Sequence, residues 1–292
     1  MTSTSTIRLL FLCLARDCEK TIPNFLSFLQ DLRDDGLECH AIIGENGSRD
    51  CSRALIQSAS PMGVEHLDTK EMSKHSCRLR RMAMGRQLLL NAARGRSGGP
   101  GSFIVLADMD NVFECPPDPL AVKDAIAQLH ELPELFAVGA TSYPCYYDLL
   151  SMKSEKFDYS SLNGAIAKAK KNLLTYYSFH KHTIYANQLA ITAAVPFDCV
   201  SSFNGFCVYI ADDYLSGTYY AENMDSVCEH VTMNVSIHDR TGKMIRLDPH
   251  LRVVTPSDHR PVGQVRFYLD RIQKIAHRCF LSTSFTSGPF SE

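Results

Sequence analysis

No apolar run in this 292-residue sequence approaches the roughly 18–20 residues that a bilayer-spanning helix requires, so the expectation is a soluble protein. Residues 7–15 have the outline of a signal-peptide core. Arg8 interrupts its start, however, Arg16-Asp17 follows at once, and no small-x-small cleavage site is present. A buried first strand is the better reading. Neither sign of charge is in excess: 30 Lys+Arg face 32 Asp+Glu, for a net charge of -2, which argues against a general nucleic-acid binder. The 11 cysteines include no Cys-x-x-Cys pair and no zinc-like spacing. Several, such as Cys13 and Cys207, sit inside apolar runs, where a free thiol behaves as a small hydrophobe. Mostly reduced cysteines point to a cytoplasmic protein. The one Gly-x-Ser-x-Gly match, Gly95-Arg96-Ser97-Gly98-Gly99, lies in a Gly/Ser-rich break ahead of a strand rather than between a strand and a helix, which disfavours a Ser-His-Asp hydrolase, and no Gly-Lys-Ser/Thr ending marks a Walker loop. There is no internal repeat.

What remains is ordinary in bulk, with 45% apolar and 21% charged residues, and is ordered along the chain. Residues 7–15 read as a strand apolar on both faces, 21–32 as a helix with Pro23 near its start, 37–43 as a second strand, and 51–58 as a short helix. Residues 77–94 give the clearest helix, and 103–107 a strand behind a Gly/Ser-rich break. This β-α-β-α alternation predicts a parallel sheet with helices on its faces. Further strands are expected at 135–140, 173–177, 203–210 and 245–254, the last interrupted by Asp248-Pro249, with a helix at 227–237. Residues 143–178 have no clear assignment. Residues 281–292 read as a frayed tail. Apart from 77–94, no amphipathic basic helix stands out.

The chemistry concentrates in a few places. Asp108-Met109-Asp110 follows the apolar run 103–107, and in an extended chain i and i+2 point to one side. Mg²⁺ or Mn²⁺ bridging a diphosphate needs only one or two protein carboxylates, so this pair is a candidate metal seat. In open α/β sheets ligands bind beyond the carboxyl ends of the strands, where the loop Gly44-Glu45-Asn46-Gly47-Ser48-Arg49-Asp50 also falls. Such a loop can hold a base and ribose, or be a plain turn. Arg78, Arg80, Arg81 and Arg86 load one helix with forks suited to phosphate, although a solvated face is preferred for Arg80. Glu229 opens a helix beside His230, either as a dipole-stabilising residue or as a base. If a histidine completes the metal site it should come from a late segment, His259 first and His250 second.

Together these pieces resemble a GT-A-fold glycosyltransferase, and most closely the cap-synthesis mannosyltransferase group of bacteria and fungi, over roughly residues 7–260. Glu45-Asn46-Gly47-Ser48-Arg49-Asp50 is similar to that group's E-N-x-S-x-D loop. Arg81-Met82-Ala83-Met84-Gly85-Arg86-Gln87 is similar to its R-x-A-x-x-R-N helix, with Gln87 where asparagine is usual. Asp108-Met109-Asp110 matches the donor-metal motif, Asn204-Gly205-Phe206 and Cys228-Glu229-His230-Val231 the late N-G and E-H elements, and Leu247-Asp248-Pro249 the N-P turn with aspartate in place of asparagine. The resemblance implies an α/β fold of GT-A (Rossmann-like) type, a mixed, mostly parallel sheet flanked by helices. It implies one domain over residues 1–280, with a nucleotide-binding half at about 7–115 and an acceptor half at about 116–280. It further implies transfer from a UDP- or GDP-sugar to a glycan or lipid-linked acceptor in polysaccharide synthesis, with Mn²⁺ or Mg²⁺ and no nucleic acid. Peripheral contact with a membrane stays open. Asp110 would bind the metal, Asp108 the ribose or the metal's water shell, and His259 would complete the set. Glu45, Asn46, Ser48, Asp50, Arg81 and Arg86 would hold the nucleotide, and Glu229 with His230 would meet the acceptor hydroxyl or the anomeric carbon. The alternatives are a nucleotidyltransferase, whose Gly-rich, Lys-containing signature is missing after the first strand, and a silent nucleotide- or glycan-binding module.

Overall fold

The computed structural model describes residues 6–96, 98–99, 101–110, 112–159, 161–222 and 224–283. In chain order the elements are β1 (Arg8–Ala15), α1 (Ile22–Asp34), β2 (Glu38–Glu45), α2 (Ser52–Ser58), β3 (Val64–Asp68), α3 (Arg78–Ala93), β4 (Ser102–Asp108), α4 (Pro119–Glu131) and β5 (Leu135–Tyr143). There follow α5 (Leu162–Ala169), α6 (Leu173–Phe179), a π-helical turn (His180–Tyr185), α7 (Ala186–Ala194), β6 (Phe197–Cys199), β7 (Phe206–Ile210), α8 (Ala211–Ser216), α9 (Glu229–Thr241), β8 (Met244–Val254) and α10 (Gln264–Thr283).

All eight strands form one sheet in the order β3-β2-β1-β4-β7-β5-β8-β6. The pairs β3–β2, β2–β1, β1–β4 and β5–β8 are parallel, while β7 runs antiparallel to both β4 and β5, and β6 antiparallel to β8. The sheet is therefore mixed and mostly parallel, with helices on both faces. β1 and β4 are apolar on both sides because each is covered twice. On one face Phe11, Val105 and Val208 meet Phe25, Phe28 and Leu29 of α1 and Val122 and Ile126 of α4. On the other, Leu12, Leu106 and Tyr209 meet Leu89 and Leu90 of α3 and Met233 and Ile237 of α9. Phe11, Phe25, Phe28, Phe113 and Phe206 lock the first layer through edge-on and tilted rings 4.9–6.5 Å apart.

Three expectations need correction. Residues 173–177 are helical, not extended: they belong to α6, whose Tyr176 and Tyr177 both pack on Phe267 of α10. Tertiary packing overrides the strand preference of tyrosine there. The tail begins later than residue 281, since α10 continues to Thr283, and 284–292 lie outside the described residues. α10 is a second basic, amphipathic helix beyond 77–94, with Phe267 buried and Val265, Leu269 and Ile272 exposed. β3, α4 and β6 were not foreseen either. β3 and β6 are short edge strands of five and three residues, too brief for periodicity to show. The Asp248-Pro249 interruption of β8 is a bulge: Ala140 pairs with Asp248 but Thr141 with Arg252, as expected of a proline that donates no ladder bond.

Phe28→Ala empties the centre of the ring cluster and should cost about 3–5 kcal/mol in urea unfolding at unchanged cleft geometry. A loss below about 1 kcal/mol would contradict the role given to this layer.

Candidate functional site

Because β1, β2, β3 and β4 are parallel and in register, their last residues line one edge. Ala15 lies beside Glu45, Glu45 beside Asp68, and Leu14 beside Asp108. A reversed β7 starts at that same edge, where Phe206 pairs with Ala107. The Asn204-Gly205 turn before it therefore abuts Asp108, whose N–H donates to the Gly205 carbonyl at 3.0 Å.

Asp108 ends β4, and its side chain is 32% exposed, whereas Arg86 of α3 is wholly buried and donates from Nη2 to Asp108 Oδ1 at 2.5 Å. Met109 turns into the core, its carbonyl accepting from Thr21 Oγ1 at 2.6 Å, which leaves Asp108 and Asp110 on a cleft. That cleft, of about 300 Å³, is lined by both aspartates, Leu14, Asn46, Met72 and three arginines, Arg16, Arg78 and Arg81. Burial pushes the Asp108 carboxyl up to about 7; Arg86 opposes this, while Asp110, Asp148 and Glu229 reinforce it. Glu229 is raised too, by burial against the pull of Arg86 and with help from Asp148. Four carboxylates thus share one field with buried Arg86 and with the arginines of the cleft. Carboxylate oxygens on a cleft suit a hard divalent cation.

Arg86 holds Asp108 rather than facing the cleft, so its effect on any ligand passes through that carboxylate. Its Nε and Nη1 find no partner among the described residues, and its guanidinium lies 5.4 Å from the Phe203 ring. His230 stacks on the same ring at 3.8 Å, with Nε2 3.5 Å from Glu229 Oε1. Burial lowers the His230 pKa well below the ordinary value, which keeps the imidazole neutral.

The loop after β2 divides its labour. Glu45 is wholly buried, one oxygen accepting from the Ser48 N–H and the other from Arg53 at 2.5 and 2.9 Å. Asp50 accepts from the Ser52 hydroxyl and N–H at the start of α2 and from the Glu19 N–H. Ser48 Oγ accepts from Asp17 N–H at 3.0 Å. These three groups build the loop and zip it to the one after β1. Asn46 alone of the four expected nucleotide contacts in this loop lines the cleft. Arg81 lines it as well while donating to the carbonyls of His75 and Ser76.

His259 is exposed, 3.7 Å from Asp258, with its ring 5.4 Å from that of Tyr147. Among the described residues no three of His, Cys, Asp and Glu converge as a metal-ligand set, so His259 is not gathered with Asp108 and Asp110. His250 lies elsewhere, in a hollow with Gln128, Asp198 and Arg246. Sequence reasoning missed Asp148, and gave Arg78 no site of its own. Asp148 sits in a segment with no periodic signal, and nothing local marks it.

A cavity of about 720 Å³ lies at the opposite edge, around Arg8, Glu38, His40, Glu65 and Arg96. Its charges are spent on one another, as in Arg96–Glu65 and His40–Glu38, so the chemistry is placed at the carboxyl edge despite the smaller volume.

No family model matches the sequence, and no curated protein matches it. Among solved structures, the chain is similar to glucosyl-3-phosphoglycerate synthase from Mycobacterium tuberculosis. With Mn²⁺, UDP and glucosyl-3-phosphoglycerate bound, the identity is 14%, 98% of this chain and 82% of that one are covered, and the TM-score is 0.46. With Mn²⁺, UDP and phosphoglyceric acid bound, the coverages are 98% and 80% at 14% identity and a TM-score of 0.47. A mycobacterial protein matches at 15% identity, 89% and 70% coverage and a TM-score of 0.48. At these values the likeness says nothing about chemistry, and the site rests on its own residues. No described helix is long and apolar enough to cross a membrane.

Glu45 supplies a pH test of the loop. Burial works against its ionisation, but hydrogen bonds from Ser48 and Arg53 outweigh this and hold the carboxyl below its usual value. Its stabilising effect is therefore complete above the unfolded pKa of about 4.3 and is lost as pH falls through the lower folded one. Because Arg53 is about one-third exposed and can be re-solvated, Glu45→Gln should cost only about 1–3 kcal/mol at pH 7. The gap between wild type and variant in urea midpoints should close on acidification below pH ~4.

Proposed function

We propose that this chain is a metal-dependent glycosyltransferase, moving a sugar from a UDP- or GDP-sugar to a glycan or lipid-linked acceptor in polysaccharide synthesis. The observation that carries the reading is the pair Asp108 and Asp110 at the end of β4, Asp108 held by buried Arg86, on an arginine-lined cleft. Arginine forks fit diphosphate oxygens, and the nearby carboxylates fit the cation that such a diphosphate carries.

In this reading Asp110 holds Mn²⁺ or Mg²⁺, and Asp108, oriented by Arg86, takes the ribose or the metal's water shell. When bound, the cation supplies Lewis-acid neutralisation of the leaving diphosphate. Arg81, with Arg78 one turn earlier on the same cleft, steadies the phosphates, and Asn46 meets the nucleoside. Glu229 and neutral His230 are buried at the start of α9 behind the cleft, and in this reading the Glu229 carboxylate hydrogen-bonds the sugar or the acceptor. His259 approaches from the acceptor side. The nucleotide-binding half then covers about residues 7–115 and the acceptor half about 116–280, and a mannosyl donor follows the family resemblance. Free thiols at the ten described cysteines accord with a cytoplasmic setting, with a membrane met only at its surface.

Purified protein incubated with a panel of UDP- and GDP-sugars and Mn²⁺ should release nucleotide from one donor. Asp110→Ala should lower that turnover by at least about a hundredfold with an unchanged circular dichroism spectrum. Full activity after chelator treatment sinks the mechanism. Tight nucleotide binding with no turnover of any donor would instead identify a binding module.

A further inference from the structure

Asp148 stands in a segment of the site that the proposed function leaves unused. It follows β5 in the segment 144–148, and its placement is overdetermined. The Asn204 side-chain oxygen accepts from the N–H groups of both Tyr147 and Asp148, at 3.1 and 3.2 Å, while its amide donates to Ser142 Oγ at 3.0 Å. Asn204 adopts a left-handed backbone (φ 53°), which asparagine tolerates better than most residues. Gly205 (φ 85°) sits so close to Tyr147 that a Cβ would collide with the phenol oxygen and lie 2.8 Å from Val112 Cγ2. Since the Gly205 carbonyl also receives the Asp108 N–H, one two-residue turn fixes Asp148 relative to Asp108.

The surroundings of Asp148 differ from those of Asp108. Its charge acts on Asp108 and Glu229, and burial raises its own pKa against a hydrogen bond from Ser151 and the pull of Arg78. Yet no three acidic or imidazole side chains among the described residues converge as metal ligands, so Asp148 is a neighbour of the Asp108–Asp110 pair and not a third member of it. Beside it, the tilted rings of Tyr147 and His259 offer apolar faces. A carboxylate that only accepts hydrogen bonds, next to aromatic faces, suits a hydroxyl-rich ligand, one hydroxyl on the carboxylate and C–H groups over the rings.

We infer that Asp148 accepts the hydrogen bond of the attacking hydroxyl and takes its proton as the hydroxyl oxygen bonds the anomeric carbon and the nucleoside diphosphate leaves, with Tyr147 and His259 forming the acceptor subsite beside it and the Asn204-Gly205 turn setting its distance from the donor end. This rests on the transferase reading and deepens it: the acceptor is polyhydroxylated, and Glu229 is left to the donor sugar.

The test uses the full chain, Mn²⁺ and whichever UDP- or GDP-sugar the wild type turns over, with water as the attacking hydroxyl. Asp148→Asn should lower turnover about 10- to 100-fold, the range for losing a hydrogen bond to a charged group. The melting temperature should hold, and the Kd values of UDP–Mn²⁺ and GDP–Mn²⁺ by calorimetry should stay within about threefold. Should the amide disturb the loop, Asp148→Ser is read in the same way. Turnover within about threefold of wild type overturns the inference, and so does a tenfold loss of nucleotide–Mn²⁺ binding, which would assign Asp148 to the donor. A wild type that turns over no donor overturns the transferase reading and this inference with it; an active wild type with an equally active variant overturns this inference alone.

Discussion

The ion pair between Arg86 and Asp108 is the constraint around which the carboxyl edge is arranged. Sequestering a guanidinium from water carries a penalty of about several kcal/mol, which is offset only by close opposite charge. Arg86 is wholly buried and finds it in Asp108, while Asp110, Asp148 and Glu229 lie near enough to bias that carboxylate. The pair therefore couples α3 to the end of β4, and the Asp-Met-Asp turn cannot shift without stranding a buried charge. Phe203 beside the guanidinium and His230 stacked on Phe203 carry the same constraint on to α9.

Around this pair the loops support one another rather than any outside group. The turns after β1 and β2 exchange hydrogen bonds through Asp17, Ser48, Glu19 and Asp50. Such reciprocal satisfaction leaves few free donors and makes the cleft floor rigid, which is what positioning a substrate requires. Most polar side chains of the loop after β2 face one another, and their bonds hold Asn46, and the backbone around it, in place.

Much of this was legible in the chain. β1, α1, β2 and α2 followed from apolar runs, because a strand covered on both faces must be apolar throughout and a helix covered on one must repeat every three to four residues. Asp108 and Asp110, Arg81 and Glu229 were found as local motifs. Asp148 was not, since Asn204, which accepts from its N–H, is distant in sequence, and its nearness to Asp108 and Glu229 exists only in the fold. β3 and β6 escaped for want of length, and α6 was misread because tyrosine and threonine favour strands until a ring such as Phe267 is brought against them.

The sequence by itself determined the doubly covered strands, the acidic pair at the end of one of them and the arginines one helix earlier, since each is written in neighbouring residues. Only the tertiary structure decided which of those groups meet. It turned β7 antiparallel between β4 and β5, and so brought the Asn204-Gly205 turn against Asp108 and Tyr147. It also buried Arg86, and left His259 exposed beside Tyr147 rather than joined to the aspartates. Strand order and the closure of loops over an edge depend on the packing of both faces together, and no local stretch of the chain carries that information.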